Sequence, residues 1–146
     1  MPNFTFMAVQ WVYLLALAVW VGGMIAFITL VAPALVAALD RESAGRVVAV
    51  FLGRFRAAVT VAIALLAATS VAKFLLWETV TPWLLVRWGC LAGMTALALY
   101  DFGVISPKLA AAKAAGDTAT FGRVHRVAVA SMGLTVLLGL AALFFS

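Results

Sequence analysis

Ala62-Ile63-Ala64-Leu65-Leu66-Ala67-Ala68 is the stretch that decides the fold. A strand of a membrane barrel would show about ten residues of alternating polarity, and this run does not alternate. It lies inside an apolar run over residues 57–77, and three more such runs cover residues 6–39, 83–100 and 127–145. The only charges inside the four are Lys73 and Arg87. A spanning helix needs about 20 predominantly apolar residues to cross ~30 Å of hydrocarbon, and each run is long enough or nearly so. Helix is also the form in which a lone apolar segment satisfies its own backbone in lipid. The chain therefore reads as an all-α integral membrane protein, an antiparallel four-helix bundle occupying residues 1–146 as one transmembrane domain.

Composition agrees. A hydrophobic fraction of 67% exceeds what a soluble chain of 146 residues hides, and mean hydropathy is +1.20. Four spans use the whole length and leave no room for a soluble catalytic module. The single cysteine, Cys90, sits in an apolar span, forms no internal disulfide and carries no compartment signal. Met1-Pro2-Asn3-Phe4-Thr5-Phe6 lacks the basic segment of a signal peptide, and the apolar run before Ala32-Pro33-Ala34 is too long for one. The first span is expected to be retained.

The net charge of +5 suggests nucleic acid only until its distribution is read. Eight of the ten basic residues, Arg41, Arg46, Arg54, Arg56, Lys108, Lys113, Arg123 and Arg126, flank the loops between spans one and two and between spans three and four. The positive-inside rule places those loops in the cytoplasm and both termini outside. The expected partners are anionic lipid headgroups and further copies of the chain, not nucleic acid. The expected location is the cytoplasmic membrane.

Span one continues through Val31-Ala32-Pro33-Ala34-Leu35, and a bend is expected at Pro33. Span three runs on through Ile105-Ser106-Pro107-Lys108 to Ala115-Gly116, with glycine in the C′ position. Thr81 and Pro82 predict the N-cap and N1 of helix three; Asp117 or Thr118 should cap helix four, and Ser43 is the candidate cap of helix two. The halves resemble each other. Pro33, then Phe51-Leu52-Gly53-Arg54-Phe55-Arg56, is echoed by Pro107, then Phe121-Gly122-Arg123-Val124-His125-Arg126. We read two repeated helical hairpins.

Candidate chemistry concentrates on helix three. Arg87, Cys90, Met94, Leu97 and Asp101 are spaced 3, 4, 3 and 4, on one helical stripe. Gly89 and Gly93 beside it would admit a neighbouring helix. Arg87, about one turn inside the outer boundary, is expected to snorkel to the interface. Asp101 is expected to pair with Arg54, Arg56, Arg126 or His125, forming a cytoplasmic gate. Met24, Met94 and Met132 fall near the bilayer centre and, with Cys90, make a sparse sulfur track. Soft ligands of this kind select Cu(I) and similar metals, with Cys90, Met94 and Met132 the candidate ligands. The competing account is that methionine fills gaps in apolar cores. No nucleophile–base pair or phosphate-binding loop appears in the sequence, so no enzymatic activity and no cofactor is expected beyond a soft metal ion.

Trp20-Val21-Gly22-Gly23-Met24, Val31-Ala32-Pro33-Ala34-Leu35, Ser106-Pro107 and Phe121-Gly122-Arg123-Val124-His125-Arg126 together look like a known pattern. The chain resembles a family of small bacterial four-span proteins of uncharacterised function, grouped with the human transmembrane protein linked to cisplatin resistance. It is distantly similar to copper-resistance D-type membrane domains, which share the tryptophan–glycine–glycine feature. The resemblance implies export or sequestration of a soft metal complex, although this chain has Cys90 alone and no paired cysteine motif. The leading expectation is a transport- or resistance-class protein handling a soft metal ion or small cationic compound. The alternatives are a structural or assembly subunit and a haem- or quinone-binding redox subunit using His125.

Overall fold

A computed structural model describes residues 3–146. Met1 and Pro2, read above as part of the N-terminal segment, lie outside the described residues. The first long helix comprises α1 (Phe4–Ala26), a π turn (Phe27–Val31) and α2 (Ala32–Ala38). The second is α3 (Arg41–Leu76). The third comprises α4 (Pro82–Tyr100), a second π turn (Asp101–Ile105) and α5 (Ser106–Ala114), and the fourth is α6 (Thr118–Phe144). No strand occurs among the described residues. All four helices are long and apolar enough to cross a membrane. The 36 residues of α3 rise about 54 Å, well beyond ~30 Å of hydrocarbon. The excess lies at its charged beginning, where Arg41, Glu42, Arg46, Arg54 and Arg56 fall.

The helix ends follow local chemistry. Asn3 caps α1 by accepting from the Phe6 N–H at 2.9 Å. Thr81 caps α4 with Pro82 in its first turn, and Asp117 caps α6, as the sequence predicts. The cap of α3 is Asp40 rather than Ser43: its carboxylate accepts from the backbone N–H groups of Glu42 and Ser43 at 3.1 and 3.0 Å. Ser43 is instead a residue of the first turn. Hydrogen bonding from Ser43 holds the Asp40 carboxyl below its ordinary value of 3.8, and hydrogen bonding from Thr120 does the same for Asp117. A lowered carboxyl stabilises the fold above its unfolded value, and that contribution disappears as pH falls through the folded one.

The bends at Pro33 and Pro107 take the form of π turns. A proline inside a helix has no N–H to donate and its ring presses on the carbonyl four residues earlier. Widening the preceding turn relieves that pressure. The Ala32 N–H accordingly bonds back to the Phe27 carbonyl, and the Ser106 N–H to that of Asp101. Each π turn begins six residues before its proline. The repeat legible in the sequence is thus a repeat of backbone geometry.

The chain divides into two compact units, Met1–Val80 and Thr81–Ser146, each a helical hairpin. In the first, α1 packs along α3. Tyr13, Leu17 and Trp20 are buried on α1, as are Val59, Ala62 and Leu66 on α3, at helical spacings of three and four. Phe27 stacks on Phe51 (centroids 5.0 Å apart) and Phe51 on Phe55 (5.8 Å). Gly23 lies against Phe55: a Cβ there would meet the ring edge at 2.5 Å. In the second hairpin α4 packs against α6, and Trp83 stacks on Phe145 at 5.4 Å. Of the glycine pair on α4, Gly93 faces Leu138 of α6, whereas Gly89 meets open space. Only Gly93 therefore serves close approach. Gly116 closes α5 in the left-handed region at φ 67°.

The two adjacent glycines of α1 give a controlled test of this packing. Gly23→Ala should lower thermal stability by about 1–3 kcal/mol through overpacking against Phe55. Gly22→Ala, with nothing within 4 Å of its added Cβ, should leave stability unchanged or raise it by up to ~1 kcal/mol through helix propensity. Thermal unfolding of the two variants in detergent checks both.

Candidate functional site

Charge buried inside apolar helices marks the place to look, because such groups are costly in lipid and concentrate where function needs them. Lys73, in the last turn of α3, is 3% exposed. Its Nζ lies 3.3 Å from Glu78 Oε1 and 4.7 Å from the centroid of the Tyr13 ring. Local backbone structure explains the pairing. Past Leu76 the chain turns back, and the N–H groups of Trp77 and Glu78 both bond to the Lys73 carbonyl, at 2.9 and 3.0 Å. These two hydrogen bonds hold Glu78 close enough to reach Lys73, five residues away rather than the usual three or four. A cation in the last turn also suits the negative end of the helix dipole.

The surroundings are polar on both helices. Phe6 meets Trp77 edge-to-face at 5.3 Å, and Tyr13 meets Lys73, so α1 and α3 run antiparallel through this level. Gln10 lies between Phe6 and Tyr13 on the same face of α1, and Ser70 lies one turn inward of Lys73 on α3. Gln10 Oε1 and Ser70 Oγ are buried atoms with no hydrogen-bond partner, as is Trp20 Nε1 deeper on α1. Ser70 is 7% exposed and Trp20 fully buried. Buried polar atoms normally find partners, so this end of the first hairpin is unusual.

On the second hairpin Arg87, Cys90 and Met94 form a buried stripe, with Met94 fully enclosed. The stripe continues through Ala98 and Ile105, while Leu97 and Asp101 are only half-buried. Arg87 does not snorkel: it is 4% exposed. Met132 on α6 is half-buried. Met24 is also half-buried but belongs to the first hairpin. Asp101 opens the second π turn. Of its proposed gate partners, Arg54, Arg126 and His125 are exposed and Arg56 is half-buried. His125 stacks on Phe121 one turn before it, centroids 6.0 Å apart and rings within 6° of parallel. Among the described residues no group of three or more His, Cys, Asp and Glu forms a metal site.

Sequence reasoning singled out Cys90, Met94 and Asp101 but passed over Tyr13, Ser70 and Glu78. The available signal was Lys73 itself, one of two charges inside the apolar runs, with an acidic residue just beyond the helix end. Two glutamates now provide a contrast. Glu42 pairs with Arg46 at 2.8 Å, but both side chains are more than 60% exposed, and such pairs contribute about 0–1 kcal/mol. Glu78→Gln should cost about 1–3 kcal/mol, because it removes the carboxylate charge that pairs with the buried Lys73 ammonium. Glu42→Gln should move the melting temperature little. Equal effects in thermal unfolding would contradict this assignment.

Comparison with curated proteins and with solved structures gives no match. The family described as Domain of unknown function (DUF4149) matches residues 15–118. That stretch holds Lys73, Glu78, Arg87, Cys90, Met94, Asp101 and both π turns. It covers well over half of a chain whose four helices each suit a membrane span, and the protein is a member of the DUF4149 family.

Proposed function

We propose that this multi-pass membrane protein is a non-enzymatic transport- or resistance-class component of the cytoplasmic membrane, acting on a small charged or amphipathic solute. Both termini lie outside and both basic loops in the cytoplasm. The observation that carries the reading is the burial of charge within spans otherwise able to be wholly apolar: Lys73 in one hairpin and Arg87 in the other. Ionisable residues inside membrane spans are costly and by default mark solute or ion pathways. Exposed Arg41, Arg46, Lys108, Lys113 and Arg123 would meet anionic headgroups, each contributing about 1 kcal/mol near the surface. Self-association belongs to the same reading, since so small a helical unit encloses little volume of its own.

A soft-metal cargo is a second reading, favoured by one observation: Cys90 and Met94 are buried on the same stripe of α4. The resemblance to the cisplatin-linked protein and to copper-resistance domains points the same way. Arg87 on that stripe opposes it, because a metal cation would sit beside a like charge.

Growth and uptake measurements in a deletion strain complemented with variants test both readings. Met→Leu conserves volume and costs less than ~1.5 kcal/mol in a packing role. Loss of a metal-linked phenotype in Met94→Leu and Met132→Leu, at normal protein abundance, would establish the soft-metal reading. On the packing account, which the buried Arg87 favours, both variants keep full activity. Absence of any solute-dependent difference between deletion and complemented strains would contradict the transport class itself.

A further inference from the structure

We propose that the Leu39 end of the first hairpin is a docking surface for an amphipathic helix of another protein, apolar on one face and acidic along its flanks. Docking there is independent of transport and of the side of the membrane that this end faces.

The apolar surface of this hairpin outruns the hydrocarbon. Residues 57–76 of α3 rise about 30 Å, the thickness of the hydrocarbon, so Arg54 and Arg56 stand at its edge. Gly23 lies against Phe55, which brings α1 to the same level. Residues 25–39 then continue for about 22 Å without one charged side chain. No residue of α2 is buried. Leu30 and Val36 are 67% and 76% exposed, Val50 of α3 is 62% exposed, and Ile28, Leu39 and Val47 are exposed with them. An exposed apolar patch with a polar rim marks an interaction site. The fold itself does not demand it. Counted from its proline, the second hairpin carries Lys108 where the first has Ala34, and Lys113 where it has Leu39.

Charge selects the occupant. Residues 40–56 hold Arg41, Arg46, Arg54 and Arg56 against Asp40 and Glu42. Asp40 is committed to capping its own helix, and Glu42 pairs with Arg46. Arg41 and Arg54 are exposed and have no ion pair among the described residues. They fall at the two ends of the patch along α3. A second copy docked about a two-fold axis would bring these arginines against their own kind. Lipid covers too little, because the headgroup layer adds only about 5–8 Å to each side of the hydrocarbon. An acidic partner complements the rim. The patch follows two helices for about 22 Å, the length of four helical turns, and suits a helix with apolar anchors at i, i+3, i+4 and i+7.

Photo-crosslinking of the full chain in intact cells provides the test. The photoreactive residue p-benzoylphenylalanine is placed singly at Val36, at Val50 and, as a control, at Lys113. Val36 and Val50 should each give a discrete adduct with a protein other than this chain, and Lys113 none. Mass spectrometry of the crosslinked peptide should show apolar residues at helical spacing flanked by Asp or Glu. Arg41→Glu combined with Arg54→Glu should lower the adduct yield at least fivefold at equal abundance of the chain. Arg41→Gln with Arg54→Gln should lower it at least twofold and serves if the reversed chain does not accumulate. No protein adduct, an adduct with a second copy alone, a crosslinked peptide without acidic residues, equal yield from Lys113, or a yield indifferent to the arginine changes would each overturn the proposal. The lipid alternative is read on the purified chain in nanodiscs, with a fluorophore on Val36→Cys in a Cys90→Ser background. Quenching by aqueous iodide is expected; quenching by brominated lipid instead would place α2 in the bilayer and overturn the proposal equally. No readout involves uptake, so a failure of the transport reading leaves the result untouched.

Discussion

Hydrocarbon offers no hydrogen bonds, and every part of this chain answers to that. Backbone groups in lipid are satisfied only within helices or closed barrels, and the apolar runs lack the alternation a barrel needs. Four helices follow, and with them the removal of charge to their ends. Asp40, Arg41, Glu42 and Arg46 gather at the start of α3, and Asp117 and Arg123 at the start of α6. Where a charge remains inside, the fold supplies compensation from its own chain. Lys73 has a carboxylate from the segment beyond its helix and an aromatic face from the opposing one.

The same constraint explains the treatment of Pro33 and Pro107. A proline that simply broke its helix would leave carbonyl and N–H groups unsatisfied near the membrane boundary. Each long helix instead widens for one turn and continues, with the displaced N–H bonding five residues back. Thr29 adds a hydroxyl bond to the Ile25 carbonyl at 2.7 Å within the first of these turns. The device recurs at the same distance from its proline in both hairpins, as expected of a duplicated unit.

Features governed by local chemistry were legible in the sequence: four spans, the Thr81–Pro82 start, the Asp117 cap, Gly116 at the end of α5. Each depends on a continuous apolar run or on capping residues close together in sequence. Features governed by packing were not. Ser43 and Asp40 are both good cap residues three positions apart, and only the direction of the entering chain decides between them. Snorkelling of Arg87 is a fair expectation for a cation near a boundary, but its burial depends on neighbours that one helix does not specify. The Lys73–Glu78 pair was hidden because its spacing of five matches no helical rule; it exists only because α3 ends between them. The Gly89–Gly93 motif was half right, since a four-residue spacing cannot tell which glycine meets the partner helix.

The central proposal concerns topology: both basic turns lie in the cytoplasm, and the opposite end of each hairpin, including the Lys73–Glu78 pair, lies outside. Thiol accessibility in intact cells tests this most directly. In a Cys90→Ser background, cysteines placed singly at Thr79, Ala115 and Ser146 are exposed to a membrane-impermeant maleimide before and after lysis. The account predicts labelling at positions 79 and 146 in intact cells, and at position 115 only after lysis. Labelling of position 115 in intact cells, with 79 and 146 protected, would contradict it.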